Sequence, residues 1–204
     1  MAPPDRDQSI EKTERTRIGY IMLAAIFLLW VVPMIAGNIA IGHRKNSPLT
    51  RFYGKGGWVL LYGVSLFAWR LPERWSRPRP WEVEGQIYET LGVRWFKQFM
   101  VDGDRHNRRV RRQLKSYRVF AGADTRAHLA QWTAATEKAH VIMFLFALWP
   151  TLFGAFAGLW KYTALMAASN IVTNVYPILL QRDTRSRITG IALRKARAAN
   201  QRVR

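Results

Sequence analysis

AHVIMFLFALWPTLFGAFAGLWKYTALMAASNIVTNVYPILL, residues 139–180, carries a single formal charge, Lys161. At about 1.5 Å of rise per helical residue, the stretch on either side of that lysine matches a hydrocarbon core about 30 Å thick. The pattern predicts two membrane spans, 139–160 and 162–180, joined at Lys161 as a tight antiparallel hairpin. Pro150 and Pro177 should kink them, and Gly154, Gly158, Ala167 and Ala168 leave room for close helix packing.

Towards the amino terminus lie two more apolar stretches. Residues 19–42, GYIMLAAIFLLWVVPMIAGNIAIG, contain no charge and include Pro33 and Asn38, which predicts another span. No small-residue cleavage site follows it, so it reads as a retained span behind a polar tail, 1–18. Residues 56–70 are shorter, with about 14 charge-free positions between Lys55 and Arg70. Snorkelling by those two cations, with Trp58 and Trp69 at the interfaces, makes a crossing feasible; a re-entrant or interfacial helix is the alternative. The fold class expected is therefore an all-α membrane protein, with about four transmembrane helices plus amphipathic surface helices.

The charge supports this reading. The 204 residues are 49% hydrophobic and 13% aromatic, yet the formal net charge is +19. In a soluble protein such a surplus points first to nucleic acid. Here the cations are packed between the apolar runs and no nucleic-acid motif accompanies them, so the expected partners are anionic lipid headgroups and not nucleic acid. With four crossings, one side receives 4 Lys and Arg from residues 1–18, 15 from 70–138 and 8 from 181 onward. The other side receives 4 from 43–55 and Lys161. The positive-inside rule then puts both termini and the large loop in the cytoplasm, in a protein of the cell membrane.

The segment 71–138 is cytoplasmic in this scheme. Prolines at 72, 78 and 80 interrupt any continuous helix. Beyond them, Trp81, Ile87, Tyr88, Leu91, Trp95, Phe96 and Phe99 recur at roughly helical spacing among charged residues. That spacing predicts amphipathic helices at the membrane surface, with the aromatic side towards lipid or the bundle. RHNRRVRRQLKSYR, residues 105–118, follows as the most basic run and reads as a headgroup-binding patch. The 181–204 stretch is expected to be a basic tail.

The chemistry-bearing residues are few. The absence of cysteine excludes disulfides, thiolate metal sites and a cysteine nucleophile. His43, His106 and His128 stand alone and no two histidines have metal-ligand spacing, which argues against a di-iron desaturase or hydroxylase; no cofactor is expected. No phosphate-binding glycine loop or GxSxG elbow is present. Polar residues inside spans are expensive and therefore informative. Asn170 and Asn174 lie four apart on one face of the fourth span, with Ser169 and Thr173 beside them and Gln181-Arg182 at the end. Glu137, Lys138 and His140 open the third span. Hairpin pairing would bring these two groups together at the cytoplasmic headgroup level. Interhelical hydrogen bonding is the simpler explanation of the amides, and a loop turn that of Asp102-Gly103-Asp104.

The order of these motifs resembles a known family. WEVEGQIYETLGVRWFKQFMVDGD, then a basic helix, then an apolar hairpin ending in NxxYPILLQRxxRxR, is similar to the glycosyl-4,4'-diaponeurosporenoate acyltransferase family. These are small membrane enzymes that place a fatty acyl chain on the sugar of a carotenoid glycoside. The similarity runs from Trp81 onward. It is carried by Glu84, Gly85, Tyr88, Trp95, Lys97, Asp102, Gly103, Asn174, Pro177, Gln181, Arg182 and Arg185.

The chain departs from the family pattern at the start of the third span. The family motif there reads like ETxRAExxH, whereas Ala135 and His140 stand here at the two glutamate positions and Met143 at the histidine. Gln-Arg-Tyr-Asn-Arg is likewise Gln181-Arg182-Asp183-Thr184-Arg185. The resemblance implies an acyltransferase in which His140, with Glu137 or Asp102, supplies acid–base chemistry. Asn174, Gln181, Arg182, Tyr88 and Lys97 would bind substrate, and Arg108 and Arg109 the phosphates of an acyl donor. The altered glutamate and histidine positions favour the alternative, a non-catalytic scaffold subunit of a larger, pigment-containing membrane complex.

Overall fold

A computed structural model describes residues 57, 59, 62–84, 86–100, 103–113 and 123–202, with scattered positions between 17 and 33. The expected span 19–42 and Asp102 fall outside that set, apart from those scattered positions. Among the described residues the chain is helical, with no strand.

Beyond Leu71 the described residues form four short helices, α1 (Glu73–Ser76), α2 (Pro80–Glu84), α3 (Ile87–Thr90) and α4 (Val93–Lys97). Pro80 opens α2, the one helical position where a missing N–H costs nothing. α5 (Asp104–Gln113) follows, and the hairpin is built from α6 (Ala123–Phe156), α7 (Trp160–Asn170) and α8 (Tyr176–Arg202). A π-helical turn, Ile171–Val175, joins α7 to α8. Among the described residues, two helical stretches, Thr125–Phe156 and the continuous Trp160–Gln201, are long and apolar enough to cross a membrane. Leu152, Phe156, Trp160, Leu165, Ile171 and Val172 on them are exposed, which places apolar surface where lipid would cover it.

The structure corrects the hairpin in two places. Its turn lies at 157–159 and not at Lys161, which is already inside α7. Gly158 adopts φ +72°; its N–H donates to the Ala155 carbonyl at 3.1 Å, and the Leu159 N–H to the Gly154 carbonyl at 2.8 Å. This pair of bonds is the Schellman termination, whose left-handed position glycine occupies without steric penalty. Second, the stretch read as a basic tail is helical as far as Arg202, and Gln181, Asp183, Arg185, Ser186 and Gly190 on it are buried. Composition marks the stretch as basic but does not show which cations meet carboxylates.

What buries that part of α8 is the proline-punctuated segment. α2, α3 and α4 pack across it, and Phe96 stacks on Tyr176 with ring centroids 5.1 Å apart. The apolar residues of this segment consequently divide. Tyr88, Val93 and Phe96 are buried against the hairpin, while Trp81, Ile87, Leu91, Trp95 and Phe99 remain exposed. Part of the 56–70 stretch is helical, at 62–69, and a side chain at Gly57 would collide with the Trp149 indole, so this segment lies against α6.

Gly158 has open space around its Cα, so replacing it tests backbone conformation alone. Gly158→Ala should destabilise the hairpin by about 1–2 kcal/mol, the cost of a left-handed alanine. A lowered Tm in detergent checks this; an unchanged Tm would mean that the turn adopts another conformation.

Candidate functional site

Arg182, on the second turn of α8, joins three segments of the chain. Its Nε lies 2.8 Å from Glu82 Oε1 and its Nη2 3.1 Å from Glu82 Oε2, a bidentate pairing. Its Nη1 donates to Glu137 Oε1 at 3.0 Å and to the Trp75 carbonyl at 3.2 Å. Arg185, three residues along α8, donates from Nη2 to Glu137 Oε2 and from Nε to the Ser76 carbonyl at 2.9 Å. Tyr88 Oη donates to Glu82 Oε1, and the Arg79 N–H to Glu82 Oε2 at 2.6 Å.

Glu82 is 3% exposed and Glu137 1%. Carboxylates so deep persist as ions only when each oxygen is matched by a donor, and here every one is. Burial by itself would raise the Glu82 pKa, but the hydrogen bonds from Arg182, Tyr88 and the Arg79 backbone outweigh it and hold the carboxyl below its ordinary value. Burial, reinforced by the neighbouring Glu82 carboxylate, pushes the Tyr88 phenol up to about 12.

One helical turn from Glu137 along α6, a second polar group closes the hairpin. Asn170 Nδ2 donates to the Phe144 carbonyl at 3.1 Å, and Asn174 Nδ2 to Asn170 Oδ1 at 2.8 Å. Asn174 Oδ1 lies 3.4 Å from His140 Nδ1. An unbroken α-helix would bond the Thr173 carbonyl to the N–H of residue 177, which is Pro177 and has none. The π turn just before it, closed by the Tyr176 N–H on the Ile171 carbonyl, absorbs the disturbance.

Further along α8, an open cleft of about 390 Å³ is lined by Glu82, Tyr88, Glu89, Asp183, Arg187 and Arg194 among others. Its carboxylates have cationic partners: Arg187 Nε is 2.9 Å from Asp183 Oδ2, and Arg182 holds Glu82. Such a mixed lining favours neutral hydroxyl-bearing groups over phosphate. His140 is not part of this lining. Among the described residues, no group of three or more His, Asp or Glu side chains is arranged to hold a metal.

A family model described as glycosyl-4,4'-diaponeurosporenoate acyltransferase matches residues 72–194, more than half of the chain. The chain belongs to this family. The matched range contains every residue of the Arg182 cluster and of the amide chain. No curated protein and no solved structure matches this chain.

The acyltransferase-family candidates named from sequence are distributed unevenly. Glu137, Arg182 and Tyr88 belong to the ion-pair cluster, His140 and Asn174 to the amide chain, and Gln181 is buried on α8. Lys97 lies elsewhere, its Nζ 4.0 Å from Asp104 Oδ1, and Arg108 and Arg109 are exposed on α5, with Arg108 Nε donating to the Asp104 carbonyl at 3.2 Å. Sequence reasoning did not select Glu82, Asn170, Arg185 or Asp183 as site residues. The signal that was present is spacing: Arg182 and Arg185 lie three apart on one helix, and Glu82 opens the acidic stretch that faces them.

Removing one member of a buried ion pair strands its partners. Glu137→Ala, which leaves two guanidinium groups without their shared carboxylate, should cost about 3–5 kcal/mol, read as a lowered Tm in detergent. The Glu82 contribution is fully present above its ordinary pKa of 4.5 and is lost as pH falls through the lower folded-state value. Acid titration of stability should therefore fall less steeply for Glu82→Gln than for the unmodified protein; parallel curves would refute the ionised pairing.

Proposed function

We propose that this protein transfers a fatty acyl group to a sugar hydroxyl of a glycosylated carotenoid or similar lipid glycoside, at the cytoplasmic face of the cell membrane. Membership of the family supports the reaction class. The observation that carries the reading to particular residues is the half-buried imidazole of His140, hydrogen-bonded to Asn174 one turn from the Glu137–Arg182 pair.

In the proposed reaction, His140 accepts the proton of the sugar hydroxyl as its oxygen attacks the carbonyl carbon of an acyl thioester such as acyl-CoA. A tetrahedral intermediate forms, the carbon–sulfur bond breaks, and the departing thiolate takes the proton back from the imidazolium. The products are an ester and a free thiol. Both oxygens of Glu137 are engaged by guanidinium groups, so Glu137 serves by holding Arg182 and Arg185 in place. Asn174, Gln181, Arg182 and Tyr88 form the polar end of the acceptor site. Asp102 is the second candidate for proton transfer.

The topology that suits this reaction has four crossings, 19–42, 56–70 and the two hairpin helices, with both termini and residues 71–138 in the cytoplasm. The exposed Trp81, Leu91, Trp95 and Phe99 then rest at the interface of the membrane. Arg108 and Arg109 face anionic headgroups or the donor's phosphates. Incubating the protein in nanodiscs with labelled acyl-CoA and a glycosylated carotenoid should give a labelled ester. His140→Ala should lower the rate by about a hundredfold or more. Absence of transfer, with copurification of a stoichiometric partner, would overturn the reading in favour of a scaffold.

A further inference from the structure

The hydrogen bonds of the two buried asparagines can be satisfied in only one sense. The Phe144 carbonyl can only accept, so the Asn170 atom 3.1 Å away is the amide nitrogen. Asn170 therefore turns its oxygen towards Asn174, which must answer with its own amide nitrogen, at 2.8 Å. Thr173 gives the same answer independently. Its hydroxyl donates its one proton to the Ser169 carbonyl at 2.8 Å, so the Asn174 atom 3.3 Å from that hydroxyl must also be a donor. Both anchors leave the Asn174 oxygen facing His140 Nδ1 at 3.4 Å. A neutral imidazole meets an oxygen by carrying its proton on the facing nitrogen, and its lone pair is then on Nε2.

We infer that Asn170 is a positioning residue for the reaction. Anchored to the α6 main chain, it orients Asn174, which fixes His140 as the Nδ1–H tautomer and makes Nε2 the atom that receives the substrate proton. The arrangement explains why two asparagines are buried side by side between membrane-length helices. A buried primary amide can turn over at little steric cost, and without Asn170 only the longer 3.3 Å contact with the Thr173 hydroxyl would oppose that turn. Asn170, tied to a group with no proton to give, supplies the shorter anchor, at 2.8 Å. The inference about the reaction rests on the acyltransferase reading; the tautomer assignment does not.

The test uses the full chain in nanodiscs with 15N-labelled histidine. The chain has four histidines, and the His140 signals are identified by their loss in His140→Gln. At a pH where the ring is neutral, the unmodified protein should show Nδ1 protonated and Nε2 bare. Asn170→Ala should shift His140 towards the Nε2–H form and lower kcat by about tenfold or more, with KM little changed. A His140 ring protonated on Nε2 in the unmodified protein overturns the inference, and that measurement needs no variant to fold. A folded Asn170→Ala protein with an unchanged tautomer overturns it as well. The expected tautomer in a protein that transfers no acyl group would sink the proposed function and leave the tautomer assignment standing.

Discussion

Two buried carboxylates shared between two guanidinium groups hold together the end of the hairpin remote from its turn. Glu82 comes from the proline-punctuated segment, Glu137 from α6, and Arg182 and Arg185 from α8. Each charge would be prohibitive alone at this depth, so the elements that carry them are obliged to meet. The geometry reflects that demand. Arg182 uses all three of its nitrogens, and the main-chain carbonyls of Trp75 and Ser76 take one further donor from each arginine, which leaves Arg185 Nη1 buried without a partner. A planar, five-donor fork can satisfy such a set in a way that an ammonium group cannot.

This network sets the position of everything beside it. By fixing α6 against α8, it brings His140, one turn from Glu137, opposite Asn174, about two turns from Arg182. By drawing α2 and α3 across α8, it buries Tyr88 and opens the cleft beside Asp183 and Arg187. It also divides the aromatic residues of residues 81–99 into a set that packs on α8 and a set that faces outward. The border between the exposed tryptophans and the ion-pair cluster sets apolar and polar surface within a few helical turns of each other.

Pro177 shows how a local defect is put to use. Its missing N–H frees main-chain bonding capacity at Thr173, and the π turn just before it changes the phase of the helix. The polar face of residues 170–174 and the charged face of residues 182–185 can then both be directed at α6. In a continuous α-helix, positions 174 and 182 would already be some 80° apart in angle, given about 100° per residue.

Several features were legible in the residues themselves. The charge-free stretches required helices of membrane length because a lipid-facing backbone must satisfy its own hydrogen bonds. The order of motifs from Trp81 to Arg185 carried the family, and the four-residue spacing of Asn170 and Asn174 put them on one face. Gly158 could also have been read as a helix stop, since it needs no tertiary context to terminate α6, although Lys161 drew attention as the only charge. Only the tertiary structure decided which ionisable residues are ions in a protein interior. A run such as QRDTRSR has the composition of a solvated tail, and nothing local distinguishes Arg185, which meets Glu137, from Arg187, which pairs within its own helix. That distinction depends on a carboxylate 48 residues away on another helix. Pairing over such distances is a property of the packed fold, because the free energy that favours it exists only once water has been excluded.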